Sequence, residues 1–238
     1  MGYNQGEIEN CGVTVGRVSF YSKSTNSYYS YYLYIGGLVG QNDGVISGCF
    51  STLSVSTSRN YFNVYIGGLV GYNSNGTILN SYATGGVSGS LDYSLARGKA
   101  SVTAGGLVGR FEEGRMEYCY ATGNVYAEGA SAYSGGLIGV CGYNELDGAH
   151  LYACNERVTT SSSYSTNADS FADNAPSTLP DTYCYLSGMY MSSSKGDKTY
   201  TGKAKTKAAM IEMMAENWDA SIWSFSENGY PTLSFFAD

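Results

Sequence analysis

GGLVG at residues 36–40, 67–71 and 105–109, then GGLIG at 135–139, is the stretch whose reading decides the fold. The word returns after 31, 38 and 30 residues, so the chain is an array of similar units and not one irregular globule. Units of this length stack, each burying against its neighbours an apolar face that it cannot bury alone. A stacked array offers long regular surfaces and seldom an enclosed pocket, and that bounds the functions open to it.

Downstream of each word comes a turn and then a second strand. QNDGVISGC at 41–49 places Asn42 and Gly44 in the turn, with Ile46 and Cys49 inside. The same roles fall to Gly76, Ile78 and Ser81, to Gly114, Met116 and Cys119, and, after a longer turn, to Gly148, Leu151 and Cys154. The opening GYNQGEIENC fits the frame through Gly6, Ile8 and Cys11, as a truncated first unit. Glycine at these turns is expected to supply positive φ without steric cost. The paired glycines of each word are expected to remove side chains where neighbouring units come close. Upstream of the word the pattern alternates. Tyr31, Leu33 and Ile35 share a face with their counterparts Phe62, Val64 and Ile66, then Ala100, Val102 and Ala104. The opposite parity is polar or carries tyrosine, as in half-buried strands. A unit has room for about three strands of ordinary length. The expected fold is therefore all-β: a parallel β-solenoid, or right-handed β-helix, of about five to six coils.

The pattern GGLVGxNxGxIxxCYATGxV resembles the GLUG-motif family of bacterial cell-surface adhesin-like proteins, which also supplies stalk repeats to immunoglobulin-A-cleaving metalloproteases. The resemblance spans about residues 1–158 in five copies and is tightest through YATGGV (82–87) and YATGNV (120–125). The tail is similar to the segment that closes such arrays, through Trp218, Trp223, Gly229, Tyr230, Pro231 and Leu233. The resemblance implies a β-helical, surface-exposed, non-catalytic module.

Three regions are expected: repeats over 1–158, an irregular excursion plus a last rung over 159–191, and a C-terminal cap over 192–238. The excursion, 159–182, is rich in Ser, Thr, Asn and Asp, and 182–191 alternates like a further rung. A helix is predicted over 203–217, with Met210, Met214 and Trp218 forming an apolar stripe that covers the open end of the stack. Five lysines between Lys195 and Lys207 are read as solvated gatekeepers of that end.

A net charge of −7 argues against a nucleic-acid partner, which needs a basic stripe, and disfavours anionic membrane surfaces. No run of 18 apolar residues exists to form a transmembrane segment. The opening MGYNQGEIENC has no signal-peptide pattern and starts inside a repeat, so the chain reads as an excised fragment or a mature form.

Chemistry is sparse. Cys11, Cys49, Cys119 and Cys154 share one repeat position, which suits buried thiols in a core column; a disulfide between Cys11 and Cys49, or between Cys119 and Cys154, stays open. Zinc-ligand spacing and the GGxGxD calcium repeat are both missing, so no metal and no cofactor are expected. His150 alone cannot build a HExxH site, and no GxSxG elbow accompanies it. Arg97, Lys99, Arg110, Glu112, Glu113, Arg115 and Glu117 are the nearest approach to a polysaccharide-lyase site, but the cluster is mixed in sign and mostly at turns.

Tyr34, Tyr65 and Tyr133 hold the same outward position, two residues before the glycine pair, with Thr103 interrupting the column. Aligned rings there either stabilise the sheet or form a ligand platform, and Tyr28, Tyr29, Tyr31 and Tyr32 add area beside them. The expected function is a secreted or cell-surface adhesin-like or spacer module. Its partner would be a host or bacterial surface protein or glycan. A carbohydrate-binding module using the tyrosine column is the alternative, and a lyase-type enzyme a more distant one.

Overall fold

The computed structural model describes residues 1–21, 32–60, 63–91, 100–142, 146–173, 184–194 and 198–236. Tyr28, Tyr29, Tyr31, Phe62, Arg97, Lys99 and Lys195 lie outside them. The described residues are nearly all β, 61% of them strand and 7% helical, and the three large sheets are parallel.

Each large sheet collects one segment from every unit. The first is six-stranded and runs from Tyr3–Asn4 through Val39–Asn42, Val70–Asn73, Val108–Phe111 and Ile138–Cys141 to Ala172–Asp173. The second holds the strands after the turn, and the third the strands on either side of each following stretch, up to the glycine pair. Equivalent letters meet in register: Val39 with Val70, Val70 with Val108, Val108 with Ile138. Their side chains, with Ile46, Ile78, Met116, Val55, Val87 and Val125, fill one core between the three sheets. Burying each such side chain contributes roughly 1.5–3 kcal/mol.

The glycine pairs are there for closeness. A Cβ on Gly36 would lie 2.5 Å from the Leu69 carbonyl oxygen, and one on Gly68 would lie 2.8 Å from the Ala83 Cβ while striking the Gly106 carbonyl. Just beyond, a bonding ladder runs up the stack. The amides of Leu38 and Val39 donate to Leu69 O (2.9 and 3.1 Å), those of Leu69 and Val70 to Leu107 O, and those of Leu107 and Val108 to Leu137 O.

Several expectations need correction. Of the turn glycines, only Gly114 has positive φ (116°). Gly44 and Gly76 are required because their Cβ atoms would collide with Gly6 O and with the Asn42 amide. Left-handed backbone recurs instead in the middle of the second sheet, at Asn10, Gly48, Asn80, Tyr118 and His150. Asn42 is not a turn surface residue. It is fully buried in a ladder, receiving Asn4 Nδ2 on its Oδ1 (2.8 Å) and donating to Asn73 Oδ1 (2.8 Å). In the fifth unit Leu151, not Cys154, pairs with Cys119, and Gly148 pairs with Met116. The sulfur column therefore comprises Cys11, Cys49 and Cys119, with Ser81 between the last two. Cys154 belongs to the outer face, and all six thiols are free.

The Ser/Thr-rich stretch is not irregular throughout: Arg157–Asp169 is a 13-residue strand paired to Val125–Gly135. The hydroxyls of Thr160, Ser162 and Thr166 find partners inside the sheet, as where Ser162 Oγ donates to Ala130 O at 2.6 Å. The helix is also shorter than expected, Lys207–Asn217, because Lys203–Lys205 pairs with Cys184–Leu186 and Thr206 caps the first turn by accepting from Ala209 N. Lys198, Lys203 and Lys205 stand on the terminal strands.

The C-terminal segment packs against the outer face of the second sheet. Met210, Met214, Trp218, Trp223 and Leu233 lie along the flank of the second sheet, over the outward rings Phe50, Tyr82, Tyr120 and Tyr152. Alternation explains the column: Ala83, Ala121 and Ala153 next to these tyrosines face the core, so the rings face out. The rings stack on one another at 5.1 Å (Phe50–Tyr82) and 4.9 Å (Tyr82–Tyr120). Tyr120 donates its hydroxyl to Pro231 O at 2.6 Å, tying the tail down.

Candidate functional site

The parallel register aligns Tyr34 with Tyr65, Tyr65 with Thr103, and Thr103 with Tyr133. Tyr34 and Tyr65 stack with centroids 5.6 Å apart and planes 15° apart. Tyr133 stands two rungs further on, beyond the buried Thr103. Two residues that sequence reasoning left out of the site complete the group. Tyr72, across the corner on the first sheet, comes within 4.8 Å of the Tyr34 ring and 5.6 Å of Tyr65. Arg110, one rung above Tyr72, places its guanidinium 5.5 Å from the Tyr65 ring centre. The signal was present in the sequence, because both directly follow GGLVG. Tyr32, 55% exposed, closes the cluster at 5.6 Å from Tyr65.

Burial pushes the Tyr65 phenol up to about 12 against the opposing pull of Arg110, and burial likewise raises Tyr34 and Tyr72. All three hydroxyls are neutral donors and acceptors at physiological pH. Burial works against the Arg110 charge, but its bond to Glu112, Nε to Oε2 at 2.6 Å, and the nearby phenols outweigh it. Tyr34 and Tyr65 turn one face to each other, Arg110 lies over Tyr65, and Tyr32 and Tyr72 meet them at tilts of 34–50°, so the surface offers ring edges and hydroxyls together with aromatic faces.

The other candidates fall into structural places. Arg110 pairs with Glu112 and Arg115 with Glu117 (2.8 Å). His150 stacks on Tyr118 at 4.6 Å in the left-handed column, and burial lowers its pKa. Among the described residues, no three of His, Cys, Asp and Glu gather where they could hold a metal ion. No helix among the described residues is long and apolar enough to cross a membrane.

With this geometry in view, comparison with known proteins gives the repeat its family. The family model of the GLUG motif matches residues 31–56, 62–88 and 100–126. These segments are GLUG motifs. The three matches include Tyr34, Tyr65, Tyr72 and Arg110, so the tyrosine cluster is built on GLUG units. The chain also resembles a solved structure, that of "a putative immunoglobulin A1 protease from Bacteroides ovatus". Identity is 20%, the TM-score is 0.54, and the likeness covers 98% of this chain and 70% of that one. It shows a shared fold. No curated protein matches.

Proposed function

We propose that this chain is a right-handed parallel β-solenoid serving as a secreted or surface-exposed, non-catalytic display module of adhesin-like or spacer type. The observation that carries the reading is the tyrosine corner. Parallel register holds Tyr32, Tyr34, Tyr65 and Tyr72 in one rigid amphipathic patch, with Arg110 beside it. Such rings bury area at little entropic cost, and tyrosine with arginine is the pairing that dominates protein interfaces. The GLUG motifs and the likeness to a protease-named structure support a surface or secreted setting.

The partner that suits ring edges and phenolic hydroxyls is a protein surface. Tyr133, two rungs away, would extend the contact along the axis. Sugar stacking on the Tyr34–Tyr65 column gains less support, since one face of each ring is spent on the other. A lyase role gains none from Arg110 and Arg115, which are held in ion pairs.

The test is adhesion of protein-coated beads to epithelial monolayers, comparing the wild type with the triple variant Tyr34→Ser, Tyr65→Ser, Tyr72→Ser. Adhesion should fall to the level of uncoated beads. Equal adhesion by a folded triple variant would end the tyrosine assignment.

A further inference from the structure

A second surface, on the opposite side of the repeat unit, has the features of a binding site. Where the second sheet turns into the third, every unit up to the fourth carries threonine at one position: Thr14, Thr52, Thr84 and Thr122. Backbone bonds fix the upper part of this column, Thr84 N to Ser51 O, Thr122 N to Ala83 O, and Cys154 N to Ala121 O. Beside Thr84 and Thr122 the C-terminal segment stands off from the stack and leaves a cleft of about 490 Å³, within the range of small-molecule sites.

The two walls differ in origin. The repeat wall gives the hydroxyls of Thr84 and Thr122 together with Asn124 and Glu156. The tail wall gives Lys207 and Tyr230, with the Lys207 ammonium 5.3 Å from the Tyr230 ring centre. Tyr230 is held by ring contact with Tyr120 at 5.7 Å and by the Tyr120 hydroxyl on the adjacent Pro231 carbonyl. Leu186 bounds the cleft at the end nearest the last rung. The site is thus assembled from two parts of the chain that the buried aromatic column locks together.

We propose that this cleft binds a short, uncharged, hydroxyl-rich glycan of two to three pyranose units. Three observations select that class. The repeat wall carries groups that both donate and accept, the Thr84 and Thr122 hydroxyls and the Asn124 carboxamide, whose oxygen also takes the Arg157 amide, and such groups match sugar hydroxyls. One cation and one anion oppose each other across the opening, so no net charge recruits a strongly ionic ligand. The threonines also repeat along the axis at the rung spacing, and the cleft spans roughly 10 Å from Thr84 to the Cys154 rung. That is the length of a di- or trisaccharide. A peptide adding by strand pairing would need a free sheet edge, and this surface is an outward sheet corner.

This inference does not rest on the tyrosine corner, and one experiment separates the two. Maltotriose, cellotriose and chitotriose are titrated to millimolar concentration into the ¹⁵N-labelled full chain, and amide shifts are followed. At least one sugar should give saturable shifts confined to Thr84, Thr122, Glu156 and Tyr230. Thr122→Val should weaken it about five- to tenfold, the loss expected for one hydrogen-bonding hydroxyl, while Thr122→Ser keeps the affinity. Tyr65→Ser with Tyr72→Ser should leave it unchanged. No localised shift with any of the three sugars overturns the proposal. So do shifts centred on Tyr34 and Tyr65, or a Thr122→Val variant that binds like the wild type.

Discussion

The Asp169 carboxylate accepts the backbone amide of Phe171 at 2.8 Å, and that of Ala172 at 3.1 Å on the same oxygen. In each earlier unit that carries the glycine pair, the equivalent pair of amides reaches the aligned carbonyl one rung on, a leucine in all but the last. The last such acceptor is Phe171 O, which takes Leu137 and Ile138. Where the first sheet stops, a side chain supplies the missing oxygen. Asp169 sits opposite Gly135, in the place of the first glycine of the word. Thr201, just past the Lys198–Thr199 strand, donates to the same carboxylate oxygen.

Stability should therefore depend on acid in an unusual direction. Burial pushes Asp169 up to about 6, with Asp173 adding to the rise and the Thr201, Phe171 and Ala172 donors opposing it. A folded pKa above the unfolded one means stabilisation that is complete below about pH 4 and lost as pH rises through 6. The amount is about 2–3 kcal/mol. Asp169→Asn should flatten this part of the pH profile in urea unfolding. Asp169→Ala, which strands three donors, should lower stability at every pH.

Asn42→Ala should cost about 3 kcal/mol in the same assay. It removes the shortest acceptor of the buried Asn4 amide, leaving it the longer contacts to Gly6 O (3.3 Å) and Val45 O (3.4 Å), and it takes from the buried Asn73 oxygen the donor that Asn42 supplies. Asn73 itself ends the ladder by donating to Gly76 O and Glu113 O, because the next unit has Phe111 there.

Gly68→Ala should prevent a soluble folded product, since the added carbon meets backbone of the next unit. Gly6→Ala should be neutral, because nothing lies within 4 Å of that position. Soluble yield and circular dichroism separate the two outcomes.

Thiol reactivity should be sharply graded. Cys11 is exposed, whereas burial raises Cys49 to about 11 and Cys119 and Cys141 to about 12. Ellman's reagent should find one rapid group in the native chain and six after denaturation. Fewer than six without reductant would mean that a disulfide had formed.

Much of this was legible because stacking repeats the same letters at the same heights. The Tyr34, Tyr65, Thr103, Tyr133 column could be read by counting back from each glycine pair. The asparagine ladder was not, since Asn followed by Gly looks the same whether its amide meets water or another asparagine. The strand at 157–169 escaped because Thr160, Ser162 and Thr166 look solvent-seeking until their hydroxyls find partners within the sheet. The fifth unit misled because its YACNE replaces YATGN and suggested the wrong sulfur. The tail's position depends on contacts such as Tyr120 with Pro231, 111 residues apart, and no local pattern announces those.

The tail also works as a gauge. Its contacts run from Trp218 on Tyr152, through Trp223 on Tyr120 and Tyr82, to Phe236 on Phe50. It therefore measures off a fixed number of layers. A duplicated unit inserted between Phe50 and Tyr152 would throw these anchors out of step by one storey. One added ahead of Phe50 would lengthen the column by about 4.8 Å without disturbing them. Growth of such a tower is free only at the end that the tail does not reach.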